Sequence, residues 1–112
     1  MASSSFSCSP VSRALSLKIT GNEHLASGNF ALAIDTYTEA LKLLPSSNKT
    51  KIAFQKPSLR AILLSNRSHA HLLLKQPSKA LNDADACIET SPKWSKAHLR
   101  RANALRKSGT KN

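Results

Sequence analysis

The chain has 112 residues, enough for one small domain, and carries 17 lysines and arginines against 6 aspartates and glutamates, a formal charge of +11. Such a charge favours an acidic partner: nucleic acid, an anionic membrane or an acidic peptide. Aromatic residues make up only 4% of the chain, and alanine and leucine dominate its apolar residues, which favours helices over sheets. No apolar run reaches the roughly 18 residues that a membrane-spanning helix needs.

The N-terminal segment, residues 1–13, is rich in serine, and we predict that it is disordered. No acidic residue appears before Glu23, so the segment also has features of an organelle transit peptide. Only Arg13 is basic there, however, and helical periodicity begins almost at once. We therefore expect a cytoplasmic protein, with an organelle as the alternative location. The two cysteines, Cys8 and Cys87, have no metal or redox spacing, and we predict free thiols in a reducing compartment.

Two helices are predicted before Pro45. The first covers residues 14–27 and is interrupted by Gly21, which costs about 1 kcal/mol relative to alanine. A glycine kept inside a helix indicates close approach of a neighbouring helix, and Gly28 then ends the helix as a cap. The second helix has apolar residues at spacings of three and four: Phe30, Ala33, Ile34, Tyr37, Ala40, Leu41 and Leu44.

The second half of the chain predicts three more helices after a loop over residues 46–58. The third helix covers residues 59–74. The fourth covers residues 78–90 and follows Pro77, a residue that suits a first helical turn. The fifth covers residues 94–107, and residues 108–112 form a tail.

An internal repeat relates these helices. A shift of 47 residues superimposes Gly21 on Ser68 and Pro45 on Pro92, and a further shift of 34 superimposes Ser68 on Ala102. If thirteen residues of the 46–58 loop are an insertion, the first period also becomes 34. Helix pairs with a period of 34 residues are typical of tetratricopeptide repeats.

At these positions the chain resembles the tetratricopeptide-repeat family. Repeat one carries Leu17, Thr20, Gly21, His24, Gly28, Asn29, Phe30, Ala33, Tyr37, Ala40 and Pro45. Repeat two carries Leu64, Ser68, His71, Ala80, Cys87 and Pro92, and repeat three supplies only its first helix, with Ala102. The pattern departs from the family where His24 and His71 replace tyrosine and where residues 75–77, Lys-Gln-Pro, replace Gly-Asp-Tyr.

The resemblance implies an all-α domain over residues 14–107. Its antiparallel helix pairs would form about two and a half repeats in a right-handed superhelix. Repeat one would cover 14–45, the inserted loop 46–58, repeat two 61–92 and the single helix of repeat three 94–107. The first helix of each pair would face one groove.

Five polar residues also resemble the dicarboxylate-clamp co-chaperones within this family: Lys18, Asn22, Asn66, Lys96 and Arg100. The pairs Lys18–Asn22 and Lys96–Arg100 are each four apart, so each pair shares one helix face. The ligand that the resemblance implies is the C-terminal Glu-Glu-Val-Asp tail of heat-shock chaperones of the seventy- and ninety-kilodalton classes. Lysine and arginine would give charge-assisted hydrogen bonds to its carboxylates.

The resemblance also implies individual roles. Arg100 would contact the upstream acidic side chains, and the other four residues would hold the terminal Asp. Leu25, His69 and Leu73 would line the groove and influence which chaperone is preferred.

Two other classes of function stay open. A nucleic-acid binder would use the charge of +11 for phosphate contacts, but no aromatic residues alternate with the basic ones as stacking platforms would. A scaffold would bind other proteins through its exposed end, because the fifth helix has no partner helix after it. Terminal repeats normally need a polar capping helix, so we expect self-association through Ala97, Ala104 and Leu105.

An enzyme is the class that the sequence supports least. It contains no nucleophile with a base and an orienting group, and no glycine-rich phosphate loop. His69 and His71 lie on different helix faces without a third ligand, so we predict no metal and no cofactor. Asp83 and Asp85 are predicted to lie on a solvated helix face.

Overall fold

The computed structural model describes residues 9–45 and 57–109. Within these ranges the chain forms five helices and no strand: α1 (Pro10–Ala26), α2 (Phe30–Lys42), α3 (Leu59–Leu73), α4 (Pro77–Thr90) and α5 (Ser95–Lys107). The all-α prediction is therefore confirmed. Most of the predicted 46–58 loop, Cys8 and the end of the tail lie outside the described residues. No helix within the described ranges is long and apolar enough to cross a membrane.

The start of α1 differs from the prediction. The helix begins at Pro10, so residues 10–13, which we predicted to be disordered, are helical. The Ser9 hydroxyl accepts a hydrogen bond from the backbone N–H of Ser12 at 3.1 Å, which satisfies one of the free donors of the first turn. Pro10 occupies the first helical position, where its fixed φ suits the helix and its missing N–H costs nothing.

The helices pack in antiparallel pairs that share one layer of first helices. α1 packs on α2 and α3 packs on α4, while α5 packs on both α3 and α4. α3 lies between α1 and α5 and contacts both, so the three first helices form the expected surface. The core between the layers is built mainly from small side chains and includes Ala14, Ala33, Ala40, Ala61, Ala70 and Cys87.

Gly21 explains how closely α1 and α2 approach. A Cβ atom at this position would lie 2.6 Å from Cε1 of Tyr37, closer than real carbon atoms approach. The Tyr37 ring is fully buried over this glycine. The interpretation of Gly21 as a packing glycine is therefore confirmed, and the same contact places the Tyr37 hydroxyl beside α1.

Asp83 corrects the prediction of a solvated pair of aspartates. Its carboxylate is buried and accepts two hydrogen bonds from the Arg67 guanidinium, both at 2.7 Å. Arg67 also donates to Thr38 of α2 at 3.0 Å, and His71 lies 3.6 Å from the same carboxylate. This network joins α2, α3 and α4. Only Asp85 is exposed, as predicted.

Two of the three residues predicted to form a sticky surface on α5 are buried instead. Ala97 and Ala104 have no exposed surface, because they face the preceding helices. Leu105 is half-buried. The large apolar residue that α5 does expose is Leu99, at 52%.

Candidate carboxylate-binding groove

The groove is built around a contact between two asparagines of successive repeats. Asn66 of α3 donates from Nδ2 to Oδ1 of Asn22 on α1 at 3.1 Å, across 44 residues of sequence. Because α1 packs against α3, the two asparagines lie close together on the same surface. Two of the five predicted residues therefore meet side chain to side chain.

Tyr37 fixes the orientation of Asn22. The Tyr37 hydroxyl donates to Oδ1 of Asn22 at 2.5 Å, so this oxygen accepts hydrogen bonds from two donors. The NH₂ group of Asn22 is then the part of the amide that can donate to a ligand. Burial raises the pKa of Tyr37 to about 12, so the hydroxyl stays protonated and remains a donor at neutral pH.

Arg100 reaches the same surface from α5. Its Nε donates to the buried hydroxyl of Ser65 at 2.9 Å, one residue before Asn66. This bond holds the guanidinium against α3 and leaves its terminal nitrogens as donors. Burial lowers the pKa of Arg100 from its ordinary value, but an arginine remains charged at neutral pH. The site therefore contains a partly desolvated and positioned positive charge.

Lys18 and Lys96 supply the other two cations. Lys18 lies one turn before Asn22 on α1 and is half-buried. Lys96 is exposed at the start of α5, with its ammonium 5.9 Å from the centre of the Trp94 ring, a cation–π contact. Neither lysine pairs with a carboxylate among the described residues. Their charges are therefore available to an anionic ligand.

Arg101 points away from the groove although it adjoins Arg100 in sequence. Its Nε donates to Asp85 of α4 at 3.0 Å, and about half of each side chain is exposed. A rotation of about 100° per residue around the helix separates the two guanidinium groups. One faces α3 and the groove, while the other is neutralised on α4.

The three predicted groove-lining residues divide into two sets. Leu25 is half-buried and packs against the core. His69 and Leu73 of α3 line a cavity of about 520 Å³ whose other side is formed by Asn103 and Arg106 of α5. The pKa of His69 is lowered by burial and then by Arg100 and Lys96, which places both cations close to its ring.

This arrangement suits a ligand with more than one carboxylate. Lys18, Lys96 and Arg100 provide three positive charges, and two asparagines add directional donors without adding charge. Charge-assisted hydrogen bonds are roughly twice as strong as neutral ones. Among the residues that the structure describes, no cluster of His, Cys, Asp and Glu could hold a metal ion.

Sequence reasoning did not find Tyr37 and Ser65 as parts of the site. Helical spacing predicts only that Tyr37 lies on the apolar face of its helix, and Ser65 stands out only as part of the stretch around Asn66. Both contacts cross between helices, over 15 and 35 residues respectively. One feature of the sequence could have indicated Ser65. It directly precedes Asn66 on α3, and the next first helix, α5, carries Arg100.

Comparisons with known proteins agree with this fold. No protein-family model matches the chain. The small glutamine-rich tetratricopeptide repeat-containing protein 2 of Saccharomyces cerevisiae is 34% identical over 88 residues, which are 79% of this chain and 22% of that protein. The chain thus spans about a fifth of the length of that relative.

Two solved structures are also similar. The Sgt2 tetratricopeptide-repeat domain from Aspergillus fumigatus superimposes with a TM-score of 0.71 at 33% identity, covering 85% of this chain and 54% of that one. The first such domain of Spaghetti (RPAP3), bound to the HSP90 peptide SRMEEVD, superimposes with a TM-score of 0.72 at 28% identity, covering 88% and 69%. With five helices in antiparallel pairs, these similarities show that the chain belongs to the tetratricopeptide-repeat family.

Proposed function

We propose that the chain is a protein–protein interaction module that binds the acidic C-terminal tail of heat-shock chaperones. The ligand ends in Glu-Glu-Val-Asp, as in chaperones of the seventy- and ninety-kilodalton classes. One observation carries the proposal: Asn22 of α1 and Asn66 of α3 contact each other, Arg100 of α5 is held by Ser65, the residue before Asn66, and neither lysine pairs with a carboxylate among the described residues. The similar Spaghetti domain, bound to an HSP90 peptide with this ending, supports it.

The five residues have distinct roles in this proposal. Lys18, Asn22, Asn66 and Lys96 bind the two carboxylates of the terminal Asp, because their helices α1, α3 and α5 meet at one surface. Arg100, held by Ser65, contacts an upstream glutamate through its terminal nitrogens. The negative charges of the bound peptide reduce the repulsion among Lys18, Lys96 and Arg100, and this reduction adds to the affinity.

The proposed role is that of an adaptor and not of an enzyme. The side chains of the groove donate hydrogen bonds and attract anions, and no nucleophile with an adjacent base accompanies them in the part of the chain that the structure describes. We propose the cytoplasm as the site of action, because chaperones with this tail are cytosolic. An organelle is the alternative if the serine-rich N-terminus is a transit peptide.

The test is a calorimetric titration with the peptide SRMEEVD and with the same peptide amidated at its C-terminus. Amidation removes one carboxylate and its charge-assisted bonds, so we expect affinity to fall by about tenfold or more, which corresponds to about 1.4 kcal/mol. Equal affinity for the two peptides would contradict the proposal, because the terminal carboxylate would then make no contact with the groove. A steep salt dependence without this preference would indicate a nucleic-acid binder instead.

A further inference from the structure

An apolar stripe lies exposed on α1. Val11, Leu15 and Ile19 are 50%, 42% and 57% exposed, although large apolar side chains on a small domain are normally better covered. They are spaced four residues apart, so they lie one above the other on one face of the helix. We call these three residues the α1 stripe.

The internal repeat indicates which way the stripe faces. A shift of 47 residues superimposes Ile19 on Asn66, and a further shift of 34 superimposes it on Arg100. The same two shifts superimpose Leu15 on Lys96. Repeat one therefore has leucine and isoleucine at the positions where repeat three has the two groove cations. By this correspondence, α1 adds apolar side chains to the groove at the positions where α5 adds cations.

The stripe adjoins the carboxylate site on α1 itself. Leu15 lies three residues before Lys18, and Ile19 lies three residues before Asn22, so each is a neighbour on the helix surface. A ligand whose terminal carboxylate binds Lys18 and Asn22 can therefore place its preceding residues against Ile19 and then Leu15.

The spacing of the stripe matches an extended peptide. Residues four apart on a helix are separated by about 6 Å along the axis. Alternate side chains of an extended chain point the same way and are separated by about 6.6 Å. The intervening side chains point the opposite way, toward Lys96 and Arg100, where acidic residues would be favoured.

We propose that the groove selects C-terminal peptides in which apolar and acidic side chains alternate. The apolar side chains stand at the first and third positions before the terminal Asp and pack on Ile19 and Leu15. The acidic side chain between them faces α5. This inference rests on the proposed carboxylate site and deepens it. The Glu-Glu-Val-Asp ending meets the first apolar position and the acidic position, and a peptide with an apolar residue in place of its first glutamate should bind more tightly. A second copy of this chain is a poorer occupant, because each copy carries a charge of +11.

Two peptides of identical composition test the proposal. Ser-Glu-Leu-Glu-Val-Asp has its leucine at the third position before the terminal Asp, and Ser-Glu-Glu-Leu-Val-Asp has it at the second. Their equal charge cancels non-specific electrostatics. We expect the wild-type chain to bind the first peptide about fivefold more tightly, since only that leucine becomes buried on the stripe.

Two exposed leucines provide the variant and its control. Leu15→Ser should reduce the fivefold preference to about twofold, the part that the glutamate facing α5 supplies. Leu32→Ser, which changes another exposed leucine on α2, should leave the fivefold preference intact. Because both positions are exposed, both variants should keep the circular dichroism and melting temperature of the wild type.

Several outcomes would overturn the inference. If the two isomers bind the wild type equally while SRMEEVD still depends on its free carboxylate, the carboxylate site stands and the stripe has no part in it. A preference that Leu15→Ser leaves undiminished overturns the inference too. The stripe could instead bind an anionic membrane or a second copy of the chain. If the wild type binds the two isomers equally, and Leu15→Ser loses binding to anionic vesicles or loses dimerisation, the stripe serves one of those partners and the inference is wrong. If no peptide binds, both proposals fail.

Discussion

At the scale of single residues, the groove depends on contacts that position its polar groups. Tyr37 and Asn66 both donate to one oxygen of Asn22, and Ser65 holds Arg100. The sequence could predict Asn22, Asn66 and Arg100 because their spacing matches a known pattern. It could not predict Tyr37 and Ser65, because those partners are brought together only by packing between helices.

Gly21→Ala should destabilise the fold. The added methyl group would lie 2.6 Å from the buried Tyr37 ring, and overpacking of this kind typically costs about 1–3 kcal/mol, more than the roughly 1 kcal/mol gained in helix propensity. Urea unfolding at 25 °C measures the change. Ser16→Ala, an exposed change on the same helix, is the control. A Gly21→Ala variant at least as stable as the control would disprove the close contact.

His69 should make peptide binding depend on pH. Its pKa is lowered by burial, Arg100 and Lys96, and an acidic peptide in the groove would neutralise those two cations and raise the pKa again. Binding then takes up a proton, so affinity should increase as the pH falls from about 7.5 to about 5.5, where carboxylates remain charged. Titrations at several pH values should show this in the wild type and lose it in His69→Ala. A dependence unchanged in that variant would exclude His69 as its source.

At the scale of helices, periodicity predicted five elements, and local capping decided where they begin. α1 starts at Pro10 because Ser9 caps it, a local signal that the serine-rich composition concealed. The two repeats also end their first helices differently. Gly28 has φ +85°, whereas Lys75, at the equivalent position of repeat two, has φ +61°. A left-handed conformation favours glycine over any residue with a Cβ.

Lys75→Gly should therefore stabilise the protein. Relief of the left-handed strain, about 1–2 kcal/mol, is partly offset by the greater entropy of glycine in the unfolded chain, so we expect a net gain of about 0.5–1 kcal/mol. Lys79→Gly, inside the first turns of α4, should instead cost up to about 1 kcal/mol. Thermal unfolding of both variants checks the signs. A lower melting temperature for Lys75→Gly would show that the strain is absent.

At the scale of the whole molecule, the distribution of acidic residues leaves the groove positive. Asp83 pairs with Arg67 and Asp85 pairs with Arg101, both on the side of α4. The net charge of +11 could be read from the sequence, but its location could not, because these pairs connect residues 16 apart in sequence on different helices. Packing between helices also buries Asp83 and Ala97, which we predicted from the sequence to be exposed.

We propose above that Arg100 belongs to a carboxylate site and is not merely part of a basic surface. Arg100→Ala and Arg101→Ala remove the same charge from adjacent positions, so counterion release predicts about equal losses. Titration of both variants with SRMEEVD at about physiological salt separates the two explanations. We expect Arg100→Ala to cost about 2 kcal/mol, because it removes a positioned donor from a partly desolvated carboxylate, and Arg101→Ala to cost less than about 0.5 kcal/mol. Equal losses would contradict the carboxylate site.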